Sequence, residues 1–240
     1  MNGDTLSEAD EHFQVELFDA DGATLPGAPA EVLIKDNGAV TIDYSSAATG
    51  QTFSGSTQGD TLMGSSFADI ISGDPAGDGS GGPDQITGNG GPDLLIGGAA
   101  ADLFLYPRLS DSTAAGYDTI IDFNPVSDGD RIVPASLPSA LWNAGVIAGV
   151  IDPAAAAAAA FADKDPSSGG LQALGANEAI LFSIEVPVRR RGVITHQFVA
   201  VNDGQPGFSA GEDLLIKLGG FTAAAGSNPL AVDDIFATLA

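Results

Sequence analysis

The sequence predicts an all-β chain whose centre is a stack of short repeats, followed by a C-terminal β-sheet with one short helix. The first observation is a phrase of an aspartate, any residue and an apolar residue, which recurs at a nearly constant spacing within 59–105. The second is the alternation of apolar and polar residues in short runs on both sides of the repeats, which is typical of half-buried strands. The third is a run of alanines at 154–160, which favours a helix.

The repeated phrase begins at an aspartate and ends at an apolar residue. The aspartates are Asp60, Asp69, Asp84, Asp93 and Asp102, and they lie nine, fifteen, nine and nine residues apart. The apolar residues are Leu62, Ile71, Ile86, Leu95 and Phe104, and glycine follows two residues later at Gly64, Gly73, Gly88 and Gly97. Such a period predicts units that stack on one another, since one unit cannot bury its apolar residue alone.

Each unit is expected to form a short strand followed by a turn. The apolar residue points inward by the two-residue alternation of a strand, and glycine supplies the backbone angles that the turn needs. Stacking places carboxylates and glycine carbonyls of neighbouring turns side by side. Many oxygens without a soft donor suit Ca²⁺ rather than a transition metal, and such close carboxylates repel one another without a cation. The alternatives are a metal-free solenoid or a disordered glycine-rich linker.

In these residues the chain resembles the RTX (hemolysin-type) nonapeptide repeat of secreted bacterial proteins. The resemblance implies a parallel β-roll over 58–105, with two nonapeptides per coil and Ca²⁺ between adjacent loops on each edge. It also implies a set of metal ligands within the repeats. These candidates are Asp60, Asp69, Asp78, Asp84, Asp93, Asp102, Gly88, Gly90 and Gly97.

The repeats depart from the RTX pattern in two ways. The loops GSSFAD (64–69) and GGAAAD (97–102) lack the glycine expected in mid-loop, which predicts weaker sites there. Six residues are inserted between Asp69 and Asp84, and the segment after Asp78 is a poorer strand than the segment after Asp84. We therefore expect 73–84 to form one enlarged loop that carries both Asp78 and Asp84.

The N-terminal region 1–37 predicts two strands. Phe13, Val15 and Leu17 alternate with polar residues, and a second run covers 31–35 after a turn at 21–22. The order of these features, an acidic stretch followed by two strands with a turn between them, resembles the second half of a Calx-β domain. The resemblance implies a partial β-sandwich in which Glu8, Glu11 and Asp36 help to bind Ca²⁺. The alternative is a solvated acidic turn before a strand. The missing first half predicts that this chain is the tail of a longer protein.

The regions on either side of the repeats are predicted to join and cap them. Residues 38–57 are expected to be a connector with one strand at 40–44. Residues 106–135 resemble the segment that follows the roll in serralysin-type proteins, which implies a cap on the roll. In that resemblance Asp118 and Asp122 are further calcium ligands. The alternative is an ordinary amphipathic strand.

The region 136–240 is expected to form a C-terminal sheet module that resembles the one following the roll in many type I-secreted proteins. Residues 136–163 are helix-prone, and strands are predicted at 179–186, 193–201 and 214–218. The three arginines at 189–191 are interpreted as a hairpin turn, with phosphate or partner binding as the alternative. The acids Asp203, Glu212 and Asp213 lie in a loop that could hold another ion.

The last residues, 232–240, place two acids before an apolar run. This arrangement resembles the uncleaved signal of type I secretion, which implies the type I secretion machinery as a partner. The alternative is a final edge strand, and the two interpretations are compatible.

Composition excludes several classes of function. The chain has 32 acidic and 8 basic residues, a net charge of −24, which argues against nucleic acids and anionic membranes as partners. Its 44% hydrophobic residues argue against disorder. There is no cysteine, hence no disulfide or thiolate metal site. The apolar stretches are too short to span a bilayer, and the first residues lack the pattern of a cleaved signal peptide.

Catalytic motifs are weak in this sequence, and we predict a non-enzymatic protein. The match GFSAG at 207–211 to a nucleophile elbow has no histidine after its serine, and His12 and His196 are far apart.

Taken together, the repeats and the C-terminal residues predict a calcium-binding, type I-secreted bacterial module from the C-terminus of an adhesin or surface protein, which folds on Ca²⁺ outside the cell. The alternative is the C-terminal tail of a secreted protease or lipase whose catalytic domain precedes Met1. A cell-surface or matrix partner is left unspecified.

Overall fold

The computed structural model describes residues 11–15, 30–34, 38–75, 81–189, 192–221 and 230–239. The first two strands, β1 (Glu11–Val15) and β2 (Ala30–Ile34), pair antiparallel in a sheet of their own. They match the two strands predicted in the N-terminal region. The rest of the described chain forms a parallel roll and a C-terminal module.

The roll is built from nine short strands among the described residues. They are β3 (Thr41–Asp43), β4 (Thr52–Ser54), β5 (Thr61–Met63), β6 (Ile70–Ser72), β7 (Gln85–Thr87), β8 (Leu94–Ile96), β9 (Leu103–Tyr106), β10 (Asp118–Ile120) and β11 (Arg131–Pro134). The odd-numbered strands form one parallel sheet in the order β11-β9-β7-β5-β3, and the even-numbered ones lie in a second sheet in the order β10-β8-β6-β4. The chain therefore alternates between two sheets, and each coil uses two repeats. The prediction of an all-β chain with a parallel β-roll is confirmed.

The roll interior is filled by the apolar residue of each repeated phrase. These side chains are at most 1% exposed and share one hydrophobic cluster. They are Leu62, Ile71, Ile86, Leu95 and Phe104. Their positions follow from the strand period of two, because the residues on either side of each point outward.

Strand pairing continues beyond the repeats on both sides. In the range predicted as a connector, β3 pairs in parallel with β5, and β4 pairs with β6. In the range predicted as a cap, β10 pairs with β8 and β11 pairs with β9. The sheets thus cross the boundaries predicted at 58 and 105, while the division into domains stays a prediction.

The C-terminal module extends one sheet of the roll. It contains β12 (Leu141–Val146), α1 (Pro153–Ala162), β13 (Ala179–Val188), β14 (Gly192–Val201) and β15 (Leu214–Leu218). Strand β15 pairs in parallel with β10, so the second sheet has eight strands in the order β12-β13-β14-β15-β10-β8-β6-β4. The three predicted strands of this module are confirmed, and β13 pairs antiparallel with β14; residues 190 and 191 of the predicted turn lie outside the described residues.

Helix α1 begins where its sequence favours a start. The carboxylate of Asp152 accepts a hydrogen bond from the backbone N–H of Ala155 at 2.8 Å, and Pro153 occupies the first turn, where its missing N–H costs nothing. Ala156, Ala160 and Phe161 are buried in a second cluster with residues of β13 and β14. The alanine run therefore lets the helix approach the sheet closely.

The helix prediction over 136–163 is wrong at 141–146. These residues form β12, which pairs in parallel with β13, and Leu141 lies in the core. Local propensity there is weak, and pairing with a strand far along the chain decides the conformation.

The last described residues pair with β11, at the edge of the five-stranded sheet. The backbone N–H of Ile132 in β11 donates to the carbonyl of Ile235, and the N–H of Ala237 donates to the carbonyl of Ile132. Ile235 and Phe236 are buried in the core of the roll. The tail thus extends the edge of the first sheet. Within the described ranges, no helix has the length and apolarity needed to cross a membrane.

Candidate metal centre

The aspartates of the repeats form two columns, one along each edge of the roll. The first acid column contains Asp60, Asp84, Asp102 and Asp130. The second acid column contains Asp69, Asp93 and Asp118. Within a column, each carboxylate accepts a hydrogen bond from the backbone N–H of the aspartate one coil earlier. Since parallel strands lie about 4.8 Å apart, neighbouring carboxylates in a column are close.

The hydrogen bonds of the first column are regular. The N–H of Asp60 donates to Asp84 at 2.8 Å, that of Asp84 donates to Asp102 at 2.9 Å, and that of Asp102 donates to Asp130 at 3.0 Å. The column begins at the N–H of Val40, which donates to Asp60 at 2.6 Å. One oxygen of each carboxylate is therefore used to hold adjacent coils together.

The second column ends in a hydroxyl instead of a carboxylate. The N–H of Asp69 donates to Asp93 at 2.8 Å, and that of Asp93 donates to Asp118 at 2.9 Å. The N–H of Asp118 donates to the hydroxyl of Ser112 at 2.8 Å, and this hydroxyl donates to the carbonyl of Leu215 in β15. Ser112 thus links the end of the column to the C-terminal module.

Four buried carboxylates have a second oxygen, Oδ2, without a hydrogen-bond partner. They are Asp84, Asp93, Asp102 and Asp118, each at most 3% exposed. Of the four, Asp118 also interacts with the buried hydroxyl of Tyr106. An isolated buried polar atom costs about 1–3 kcal/mol, and more when it is charged. These four oxygens are the strongest indication of a ligand site in the described chain.

The first two aspartates of the repeats are satisfied by serine. Ser56 donates its backbone N–H to Oδ2 of Asp60 at 2.5 Å and its hydroxyl to Oδ1 at 3.1 Å. Ser65 likewise donates its N–H to Oδ2 of Asp69 at 2.6 Å and its hydroxyl to Oδ1 at 3.1 Å. Protein donors therefore occupy the oxygens that are unpaired in the later coils.

Glycine at the start of each turn leaves room beside the unpaired oxygens. A Cβ on Gly73 would lie 1.9 Å from Oδ2 of Asp84 and 2.3 Å from the carbonyl oxygen of Gly97. Cβ atoms on Gly88 and Gly97 would lie 2.2 Å and 2.4 Å from Oδ2 of the following aspartates. A carboxylate oxygen and a carbonyl oxygen thus face the same small space. A Cβ on Gly90 would meet no atom within 4 Å, so the packing does not require glycine there.

Burial raises the pKa of the unpaired carboxyls, and neighbouring carboxylates raise it further. The pKa of Asp84 rises to about 7, and those of Asp93, Asp102 and Asp118 rise to about 8. Asp130 follows the same pattern, with a pKa of about 6. Two like charges about 5 Å apart repel by roughly 3 kcal/mol at an effective dielectric constant of about 20. The columns therefore disfavour full ionisation unless a cation lies among them.

These residues fit a hard divalent cation. Ca²⁺ takes six to eight oxygen ligands from carboxylates, carbonyls and water, and the space at Gly73 presents a carboxylate and a carbonyl oxygen. Within the described ranges, no three acidic or histidine side chains converge on one point. Backbone carbonyls would therefore complete the coordination at each edge.

Two aspartates after the repeats join the same edges. Asp122, predicted as a ligand, accepts hydrogen bonds from the backbone N–H groups of Gly97 and Gly98 at 3.0 and 2.9 Å. Asp130 was not among the predicted ligands, although it continues the first column. The signal was present, because Asp130 and Ile132 repeat the same phrase of aspartate, any residue and apolar residue.

Several predicted ion-binding residues are placed differently or lie outside the described part. Asp78, Glu8 and Asp36 lie outside the described residues, as does the side chain of Glu11. In the C-terminal loop, the oxygens of Asp213 accept the N–H groups of Asp203 and Ser209 at 2.7 and 2.6 Å. This carboxylate is therefore satisfied by its own loop.

Comparison with known families identifies the repeats. Residues 54–75 and 78–105 match the family model described as the RTX calcium-binding nonapeptide repeat, in four copies. These residues are RTX repeats. Such repeats bind Ca²⁺, which agrees with the unpaired oxygens of the columns. The Calx-β and serralysin resemblances and the ligand role of each residue stay predictions.

One solved structure that the chain matches is the AlgE6R3 subunit of the mannuronan C5-epimerase from Azotobacter vinelandii, determined in solution. It is 20% identical, the match covers 77% of this chain and 86% of that chain, and the TM-score is 0.38. No curated protein sequence matches the chain.

Proposed function

We propose that the chain is a calcium-dependent folding module of a type I-secreted bacterial protein, with no catalytic activity of its own. The observation that carries this proposal is the set of four buried, unpaired carboxylate oxygens in the RTX roll. In the cell, where free Ca²⁺ is scarce, repulsion within the columns opposes winding of the roll. Outside, Ca²⁺ binds the folded state and not the extended chain, so it stabilises the roll by mass action.

The proposal assigns different roles to the aspartates. Asp84, Asp93, Asp102 and Asp118 bind Ca²⁺ together with glycine carbonyls such as that of Gly97. Asp60 and Asp69, whose oxygens accept bonds from Ser56 and Ser65, hold the first coils together with less need of metal. Calcium affinity should therefore be concentrated in the later coils.

The test is folding monitored by far-ultraviolet circular dichroism during a Ca²⁺ titration of chelator-treated protein. We expect strand content to rise with Ca²⁺ and to fall again with EGTA, while Mg²⁺ at equal concentration has little effect because it holds its water more tightly. Isothermal calorimetry should show heat of binding over the same range. Equal strand content in EGTA and in Ca²⁺, with no binding heat, would overturn the proposal.

Export is tested separately in cells that carry a type I exporter. Asp233 and Asp234 lie in an exposed turn before the buried Ile235. Replacing both acids by alanine should reduce export and leave the calcium-dependent folding of purified protein unchanged. Unchanged export of this double variant would contradict a role of these acids in the signal. A protease or lipase motif elsewhere in the same gene would favour a hydrolase as the parent protein, and further Calx-β repeats would favour a surface protein.

A further inference from the structure

A cleft lies on the outer face of the eight-stranded sheet. Ile120 of β10 and Ile216 of β15 face the roll core, so their neighbours Thr119 and Lys217 face the opposite side. Thr119 and Lys217 are direct partners across the two strands, and Phe198 of β14 is the next partner of Lys217. The cleft has a volume of about 440 Å³. Its lining includes Thr119, Ile121, Thr195, His196, Lys217 and Phe221.

Among the described residues that line the cleft, Lys217 is the one lysine or arginine. Arg108 pairs with Asp111 at 2.9 Å, and Lys164 pairs with Glu178 at 2.7 Å. In the described part of the chain, Lys217 has no such ion pair, and no acidic side chain lines the cleft. A cation without a protein counter-charge in a concave site can accept the charge of a ligand.

The remaining lining suits a ligand with both a polar and an apolar part. His196 lies close to Lys217, since burial and this neighbouring charge lower the pKa of the imidazole. Its neutral ring can donate one hydrogen bond, as can the hydroxyl of Thr119. Phe221 and Ile121 form an apolar wall, and Ile121 is 42% exposed.

We propose that this cleft binds a small organic anion that joins one carboxylate to an apolar ring. The carboxylate lies against Lys217 and the hydroxyl of Thr119, and the ring lies on Phe221 and Ile121. One lysine balances one negative charge, so a single carboxylate fits better than a doubly charged phosphate. The net charge of −24 opposes anions at long range, but salt screens that repulsion beyond about 8 Å at physiological ionic strength.

The test uses naphthoate as the probe and its uncharged analogue naphthamide as the control ligand, with the full chain in Ca²⁺-containing buffer. Amide resonances of Thr119, Thr195 and Lys217 should shift saturably with naphthoate. Because a hydrogen bond to a charged group is worth more than a neutral one, naphthamide should bind about tenfold more weakly. Equal affinity for both compounds, or shifts spread over the whole surface, would overturn the proposal.

Three variants separate the cleft from general charge effects. Lys217→Gln should weaken naphthoate binding about tenfold. Arg189→Gln, which removes one exposed cation at the β13–β14 turn, makes the same change in net charge and should leave binding unchanged. Ile121→Glu adds an acid at an exposed wall position and should abolish binding, with circular dichroism confirming that the fold is kept. Equal binding by Lys217→Gln and Arg189→Gln, or retained binding by Ile121→Glu, would refute the site.

Discussion

Replacing Asp84 by asparagine should stabilise the chain without calcium and destabilise it with calcium. In the folded chain the pKa of Asp84 is raised from 3.8 to about 7, mainly by burial. At pH 8 this shift of about 3 units corresponds to at most about 4 kcal/mol of unfolding free energy lost to ionisation. Asparagine has no charge to bury, but its amide must still be desolvated. We therefore expect a net gain of about 2 kcal/mol in EGTA.

With calcium bound, the same substitution removes a ligand. A ligand at about 100 times its dissociation constant stabilises the folded state by about 2.7 kcal/mol, and Asp84→Asn should lose a comparable amount. The assay is urea unfolding at pH 8 in EGTA and in saturating Ca²⁺, followed by circular dichroism.

The matched control is Asp60→Asn in the same column. Both oxygens of Asp60 accept protein hydrogen bonds, from Val40 and Ser56. An amide there places N–H groups against a donor, so it should cost about 1 kcal/mol in both buffers. If Asp84→Asn were less stable than the wild type in EGTA at pH 8, the unpaired oxygen would not be a source of strain. If its loss in Ca²⁺ were no larger than that of Asp60→Asn, Asp84 would not be a calcium ligand.

The geometry of the roll leads to four other expected outcomes. In EGTA, the unfolding free energy of the wild type should fall as the pH rises from about 4 to 8. The raised pKa values of four aspartates make the folded state hold more protons than the unfolded one; they are Asp84, Asp93, Asp102 and Asp118. In Ca²⁺, urea unfolding should show the opposite trend, because protons compete with the metal. Gly73→Ala should lower the unfolding free energy by more than about 2 kcal/mol in both buffers, since its Cβ meets a carboxylate and a backbone carbonyl. The control Gly90→Ala should lower it by less than about 1 kcal/mol, and equal urea midpoints for the two variants would contradict the expectation. Ala100→Gly should gain about 0.5–1 kcal/mol in thermal unfolding, because Ala100 has a φ of +77° in the loop that lacks its expected mid-loop glycine, and no gain would mean that the loop carries no backbone strain. Phe236→Ala should lower the unfolding free energy in urea by about 3–5 kcal/mol. Leu239→Ala, at a 52% exposed position, should lower it by less than about 0.5 kcal/mol. Equal losses for the two variants would mean that burial of the tail does not stabilise the roll.

The candidate site was predictable as far as it depends on local spacing. The phrase of an aspartate and an apolar residue places Asp84 and Asp93 at the turn and Ile86 and Leu95 in the core, because strand alternation operates within three residues. The same phrase at Asp130 could have extended the first column. The serine contacts were harder to foresee, since nothing in the turn sequence distinguishes Ser56 and Ser65 from other small polar residues, yet they satisfy the aspartates four residues later.

The strand β12 shows the limit of local patterns. Its residues have only a weak local preference, and they pair with β13, whose first residue lies almost forty positions later. A pairing between distant segments is not encoded in the composition of either one. Likewise, the tail could be predicted as an edge strand, but not that it pairs with β11.

The sequence by itself determined the nine-residue unit, the side chains that fill the roll and the choice of oxygen ligands, because each depends on neighbours a few residues away. Only the tertiary structure decided which carboxylate oxygens are left unpaired and how β15 joins β10. Those features arise from contacts between coils and between segments about a hundred residues apart, such as the bond from Ser112 to Leu215. Burial, which raises the pKa of the later aspartates, exists only once the coils are stacked.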